Sequence, residues 1–322
     1  MYSIRMRIGM WYKNLKKILW IVVFCSCAYG AGRLYYYFTD GFSLGNIVTE
    51  FSYDPRWNMH ALDGEEQETL DRILNQSFHY LGKGCQSYVF ESEDKEFVIK
   101  FFKYQRYRPK PWLEWFSFIP FIDEIRQQKI EKKQTKLERV YASWKLSFDH
   151  LQNEGGLIYA HLNDNHDLKR SMILYDKIGT KHSVNLDGMQ FLIQRKANMI
   201  CTELDSLMAQ GKIEESKQLL SDLTEMILFE HERGFVDEDH ALMQNTAVLN
   251  GKPIHVDVGL FSQREDVKNI VTSHDELFKK TFKFRVWLQK QHPELASYLD
   301  QKLYAVIGEP FLSMEFVEVI HG

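Results

Sequence analysis

The sequence predicts an α+β protein behind an apolar N-terminal segment. Two observations predict the fold class. Between Phe78 and Phe102, apolar and aromatic residues alternate around Gly82-Lys83-Gly84 and again around the Ser92 to Lys95 turn, which is the pattern of short strands. Further on, Leu204 to Glu232 reads as helix, and Leu219 to Phe229 within it is apolar enough to be a central helix. Strands followed by helices make an α+β chain. A third observation bears on chemistry. Asp237 to Phe261 opens with clustered carboxylates, passes Asn245, turns at Asn250-Gly251-Lys252-Pro253 and ends in Asp257-Val258-Gly259. An Asn-Gly turn between short apolar runs is a hairpin signal. Two acidic side chains and an amide set about a hairpin apart suit a divalent metal carrying phosphates, because hard cations take oxygen ligands.

Composition narrows the class. The chain has 322 residues, enough for one large or two small domains with a sizeable core. Apolar residues make up 44% and charged residues 26%, and the net charge of −4 leaves no basic excess, so no nucleic-acid partner is expected. The four cysteines, Cys25, Cys27, Cys85 and Cys201, have neither zinc-site spacing nor the density of a disulfide framework.

The N-terminus reads as a membrane or export segment. Arg5, Arg7, Lys13, Lys16 and Lys17 precede the apolar run Ile18 to Gly32, and an aromatic patch, Leu34 to Phe38, follows Arg33. Counted through Phe38 with Arg33 snorkelling, the run is long enough to cross a bilayer once, and its tyrosines suit an interfacial belt. A cleaved signal near Ala28 and Gly30, and a buried N-terminal helix, are the alternatives. The basic residues place the N-terminus inside and the body outside. That orientation sits against the phosphate chemistry suggested above for the body, because phosphoryl donors are scarce outside the cytoplasm.

The remaining elements follow in order. Thr39 to Glu68 is a polar linker and Glu65 to Asn75 a helix. Phe97 to Phe102 is a buried strand with one lysine in it, Lys100, and a buried charge needs a partner. Tyr104 to Phe121 is a Trp- and Phe-rich insert that suits core, a partner surface or a second membrane contact. Asp123 to Leu151 is a long helix, polar all round in its first half. In its second half Leu137, Val140, Tyr141, Trp144 and Phe148 mark one buried face. Strands are expected at Leu157 to Leu162, Met172 to Ile178 and Phe191 to Ala197. Helices are expected at Ser273 to Gln291 and Pro293 to Tyr304, before an apolar tail, Phe311 to Ile320.

Leu81-Gly82-Lys83-Gly84 with Tyr88-Val89-Phe90, then Val98-Ile99-Lys100, then Asp257-Val258-Gly259 in this order resembles the glycine-rich loop, strand-three lysine and metal aspartate of the protein-kinase superfamily. Ser87 stands at the third loop glycine. The resemblance covers roughly residues 76 to 261 and implies a bilobal fold. With the segments read above, the chain divides into an anchor or signal over 1–40, a linker and helix over 41–75 and, by the resemblance, a kinase-like domain over 76–322. The N-lobe would cover about 76–197 and a trimmed C-lobe about 198–322.

The same resemblance implies roles. Gly82 and Gly84 would cover the phosphates and Lys100 would bind them. Glu138 is the expected acidic partner of Lys100, with Glu131 and Glu124 as alternatives. Adenine would meet backbone groups near Gln194 to Lys196. Gly234 to Asp239 is similar to the catalytic loop, with Asp239 at the catalytic aspartate and Asp237 at the usual histidine. Glu238 replaces the arginine that couples to a phosphorylated activation loop, so that mode of activation is not expected. Asn245 lies one residue further from Asp239 than the family spacing, and counting back from it puts His240 at the catalytic position instead. Asn245 and Asp257 would hold Mg2+. Roughly 60 residues follow Phe261, without an A-P-E element, so the substrate platform of a full protein kinase does not fit, as in small bacterial kinase-like proteins. The implied protein is a single-pass membrane-anchored kinase using ATP and Mg2+ on an unknown protein or small-molecule acceptor. The alternative is a pseudokinase serving as a nucleotide sensor or interaction scaffold.

Overall fold

Alternation along one strand sets the layers of the upper lobe. Phe97, Ile99 and Phe101 point to one face of a sheet and pack with Phe42, Ile73, Phe78 and Phe90. Phe102 points to the other face and packs with Tyr141, Trp144 and Phe148. Period-two geometry therefore puts Lys100 on the second face, beneath a helix. The structure is a computed structural model that describes residues 2–49, 53–164 and 168–311, with the backbone alone over 2–15. The expected tail beyond Phe311 and part of the linker lie outside the described residues.

The chain begins with a 38-residue helix, α1 (Tyr2–Thr39), and a short helix, α2 (Gly64–Leu74), follows. Asp63 starts α2 with a capping box: its carboxylate accepts from Glu66 N while Glu66 reaches back to Asp63 N. Three strands come next, β1 (Ser77–Lys83), β2 (Ser87–Ser92) and β3 (Phe97–Phe102). The insert forms one small helix, α3 (Pro111–Trp115), ahead of the long α4 (Pro120–His150). A single turn, α5 (Gln152–Gly155), leads to β4 (Leu157–His161), β5 (Ser171–Tyr175), β6 (Lys181–Asn185) and β7 (Phe191–Arg195). These strands form one sheet in the order β4-β7-β3-β2-β1-β5-β6. The β5–β6 hairpin extends the sheet through a parallel pairing of β5 with β1.

The lower lobe starts at β8 (Asn198–Met199) and α6 (Ile200–Ala209), then α7 (Ile213–Glu232), β9 (Phe235–Asp237) and α8 (Leu242–Asn245). A hairpin, β10 (Thr246–Leu249) and β11 (Lys252–His255), is joined to β8, and β12 (Phe261–Gln263) pairs with β9. Helices α9 (Ile270–Gln291) and α10 (Pro293–Ile307) close the lobe. Their apolar faces bury Leu277, Phe284, Leu295 and Leu299 against Leu219, Leu220 and Leu223 of α7. Each such side chain contributes about 1.5–3 kcal/mol of burial. The central position expected for Leu219 to Phe229 is the observed one.

The result is a strand-rich lobe over a helical lobe, the two-lobed arrangement that the resemblance implied. Helix α1 stands apart from both cores. Its Lys16–Thr39 portion is long and apolar enough to cross a membrane, and within it only Thr39, at its end, is buried in the protein. Trp20, Phe24 and Tyr29 of this portion are each more than 70% exposed.

Candidate active site

The cleft is built from two local structures. The lower one is the hairpin. Asn250 and Gly251 have φ of 51° and 78°, the pair of positive values that a tight hairpin turn with the native twist requires. The turn sets the register Thr246↔His255, and Val256 N then donates to Asn245 O at 2.8 Å. Asn245 and Asp257 are thereby brought to the same end of the hairpin. Both line a cavity of about 1270 Å³, together with Asp239 and the glycine-turn residues Lys83 to Gln86.

The upper structure is the glycine turn and Lys100. Gly84 N donates to Ser87 O at 2.9 Å, which closes the turn, and Lys103 Nζ ties Gly84 O from below at 2.5 Å. Gln86 lies directly against Gly259. A Cβ at Gly259 would stand 2.5 Å from the Gln86 side chain, so this position accepts only glycine while Gln86 keeps its place. Gln86 Oε1 is buried without a hydrogen-bond partner, an orphaned acceptor at the roof of the site.

Lys100 is buried. Its ammonium donates to Val256 O and lies 5.6 Å from the centre of the Trp144 ring. Burial pushes its pKa down to about 8, and the nearby Asp257 carboxylate opposes the fall. Asp257 moves the opposite way. Burial raises its pKa; Lys100 and the Gly259 N–H lower it, and Asp237 and Asp239 add to the rise. The two groups thus share one low-dielectric space from opposite sides of the cleft. The Asp257-Val258-Gly259 segment is pinned on three sides, by Lys100 at Val256 O, by Ser143 Oγ at Val258 O and by Gln86 at Gly259.

The loop before the hairpin is held from α9. Lys280 donates to Asp237 Oδ2 and, at 2.6 Å, to Asp239 O, while Asp237 Oδ1 accepts from Asp239 N at 3.0 Å. Asp239 accepts from Ala241 N and faces the cavity. His240 turns away and meets Glu276 at 3.1 Å. Of the two registers open in the sequence, the cavity wall receives Asp239. A single helical turn, α8, carries the chain across the extra residue to Asn245.

Three residues that the resemblance put in the site stand elsewhere. Glu138 bonds Arg56 at 3.2 Å on the flank of α4 away from the cleft. It follows Leu137 by one residue, a rotation of about 100°, so it leaves the buried face. On the cleft side α4 presents Lys136, Arg139 and Val140. Glu131 does line the cavity, but it precedes Trp144 by thirteen residues, roughly 20 Å along the axis, far from Lys100. Glu124 is not among the cavity-lining residues. Among the described residues no carboxylate forms an ion pair with Lys100. Gln194 is the second. Its side chain braces the lobes, donating to Gly155 O at 2.7 Å and His255 O at 3.3 Å, and its neighbours' amides are engaged, Arg195 N with Gly156 O and Lys196 N with Glu96 O. Met199, four residues beyond Arg195, is the residue of this connection that reaches the cavity. Asp237 is the third, sealed in its ion pair with Lys280.

Sequence reasoning missed Gln86, Lys103 and Ser143, which shape the roof and the Asp257 segment. Nothing in one sequence marks them. The cationic wall formed by Lys132, Lys136 and Arg139 was readable, since these residues recur at helical spacing.

The donor set fits a magnesium–nucleotide. Asp257 and Asn245 offer hard oxygens, and Mg2+ takes one or two carboxylates and completes its shell with water and substrate phosphates. No cluster of three His, Cys, Asp or Glu side chains stands ready for a metal among the described residues, so an ion here would depend on the phosphates.

No family model matches the chain, and a search of curated proteins returns no match. Among solved structures, WbdD bound to the kinase inhibitor LY294002 is 16% identical, with 70% of this chain and 46% of that one covered at a TM-score of 0.33. Rv3197 from Mycobacterium tuberculosis, in complex with erythromycin, is 11% identical over 85% and 80% at 0.31. APH(2")-IIa in a ternary complex with streptomycin and ATP is 13% identical over 82% and 98% at 0.24. The chain spans less than half the length of the WbdD structures it matches. The two-lobed fold is read from the strand order and the cleft themselves.

Proposed function

We propose that this chain is an ATP- and Mg2+-dependent phosphotransferase tethered to a membrane by α1. The observation that supports it is the meeting of Asp239, Asn245 and Asp257 in one cavity beneath a glycine turn, with Lys100 behind them. In this reading Asp257 and Asn245 hold the metal, which neutralises charge on the phosphates and so supplies the electrophilic chemistry. Lys100 and the glycine turn bind the phosphates. Asp239, fixed by Lys280 and Ala241, accepts the proton of the acceptor hydroxyl. Met199 takes the edge of the base in place of Gln194.

A pseudokinase is the second reading. One observation favours it: Lys100 lacks the acidic partner that an active kinase places on the helix above. One pair of measurements separates the two. Thermal unfolding of the full chain in mild detergent is expected to shift upward with ATP and Mg2+ together, and not in Asp257→Ala. Phosphate release lost in Asp239→Asn makes the protein an enzyme. Binding without turnover makes it a sensor, and no shift with any divalent ion removes the nucleotide from the account.

A further inference from the structure

We propose that the aromatic insert, residues 111–121, is a second membrane contact that rests on the surface of the same bilayer that α1 crosses. The inference rests on the tether part of the reading above and is independent of catalysis. This part of the insert is not core: of residues 111–121 only Leu113 is buried, whereas Tyr104 and Tyr107 before it pack in the core. Trp115, Phe118 and Phe121 are 72%, 77% and 71% exposed, and Trp112, Phe116 and Ile119 are exposed beside them. A contiguous apolar surface of this kind marks a protein or a lipid contact.

Charge and position favour lipid. From Arg106 to Lys136 the sequence holds eight basic against four acidic residues, in a chain whose net charge is −4. Several of these cations lie close to one another. Lys133 Nζ donates to Arg106 O and Arg108 O at 2.7 and 2.6 Å, and like charge from Lys136, Arg106, Lys110 and Lys129 adds to burial in lowering its pKa. Tryptophan and phenylalanine backed by lysine and arginine suit the headgroup layer of an anionic membrane, where each cation contributes about 1 kcal/mol. A protein interface core, by contrast, is depleted in lysine.

The insert is also tied to the chain that leaves the membrane. Arg108 donates to Gly45 O at 2.9 Å and to Val48 O at 2.6 Å. The apolar portion of α1 ends at Thr39, and six residues of chain reach at most about 20 Å. The end of α1 is fixed to the same lobe, with Tyr36 and Asp40 bound by Lys83 of the glycine turn. If α1 spans the bilayer, the base of the insert is held near its surface. The cavity, lined by Lys83, Arg106, Lys132 and Lys136, then lies beside the headgroups.

The test is nitroxide power saturation on the full chain, with its four cysteines replaced by serine, in vesicles of phosphatidylcholine and phosphatidylserine. Labels are placed one at a time at Phe118→Cys, at Val271→Cys on the far helical lobe and at Phe24→Cys in α1. The expected result is a label at 118 open to oxygen but severalfold less open than 271 to a water-soluble nickel chelate. Equal nickel access at 118 and 271 overturns the proposal. Shielding from both agents overturns it as well, since the patch is then covered by protein, whether a second copy or another partner. Position 24 separates the two readings: lipid at 24 with water at 118 sinks the insert alone, and water at both sinks the tether too. As a check that keeps the native thiols, brominated lipid is expected to quench the unaltered chain more than Trp115→Phe; equal quenching counts against the insert.

Discussion

The two walls of the cleft are made in different ways. The lower wall is local: His255 follows Thr246 by nine positions, one Asn-Gly turn joins their strands, and the ladder of hydrogen bonds sets Asn245 beside Asp257. The upper wall is assembled from distant pieces. Lys100 comes from β3, Trp144 and Ser143 from α4, and Gln86 from the glycine turn. Residues set by a hairpin register meet where the local turn puts them. Residues that meet only when a 31-residue helix docks depend on its rotation, and there the expected partner, Glu138, gave way to a tryptophan face and a backbone carbonyl.

This contrast predicts where changes hurt most. Asp257→Asn keeps the shape of the lower wall and removes its charge. Binding of Mg2+ and ATP should fall up to about 1000-fold, about 4 kcal/mol, by titration calorimetry. The nucleotide-free protein should become more stable, because burial already raises the Asp257 pKa. A loss under tenfold would move the metal away from this wall.

The next effect lies on the upper wall and is a pH dependence. Folding lowers the Lys100 pKa to about 8 from 10.5. The unfolded chain therefore binds this proton more tightly, and stability rises with pH between about 8 and 10.5. The full shift is worth about 3 kcal/mol at most. Lys100→Met should flatten the rise in Tm across that window; a slope unchanged by the substitution would mean that Lys100 is not held in the buried state seen here.

Smaller effects sharpen the comparison. Gly251 has φ of 78° and open space around its Cα, so Gly251→Ala meets backbone strain alone and should cost about 1–2 kcal/mol in denaturant unfolding. Weaker nucleotide binding should accompany it, because the turn sets the register of the proposed metal ligands. The smallest effect is expected at Glu138→Gln. Its exposed contact with Arg56 is worth under about 1 kcal/mol. Nucleotide affinity should stay within about twofold, since a loss of 0.4 kcal/mol is the most that corresponds to that change. A hundredfold loss would show that α4 rotates to bring Glu138 to Lys100 when nucleotide binds.

Much of the fold was legible because its signals are periodic. Alternation located β1 to β3, the 3.6-residue period located the buried face of α4, and an apolar run located α7. The β5–β6 hairpin was half visible: Met172 to Ile178 read as a strand, but its parallel pairing with β1 did not, since that pairing joins segments nearly a hundred residues apart. The order of the lower wall was legible for the same reason as the strands. The exact neighbours of the upper wall were not.

The amino-acid sequence by itself determined which residues form strands and helices, the Asn-Gly turn, and the pairing of Asn245 with Asp257 at one hairpin end. These are short-range matters of backbone preference, glycine and period. Tertiary structure alone decided that Asp239 and not His240 faces the cavity, because Lys280 and Glu276 arrive from α9 to hold them. It also decided that Lys100 meets Trp144, Val256 and Asp257 without an acidic partner from α4. Those outcomes turn on how whole elements rotate against one another, and packing energy, spread over many side chains, sets that rotation.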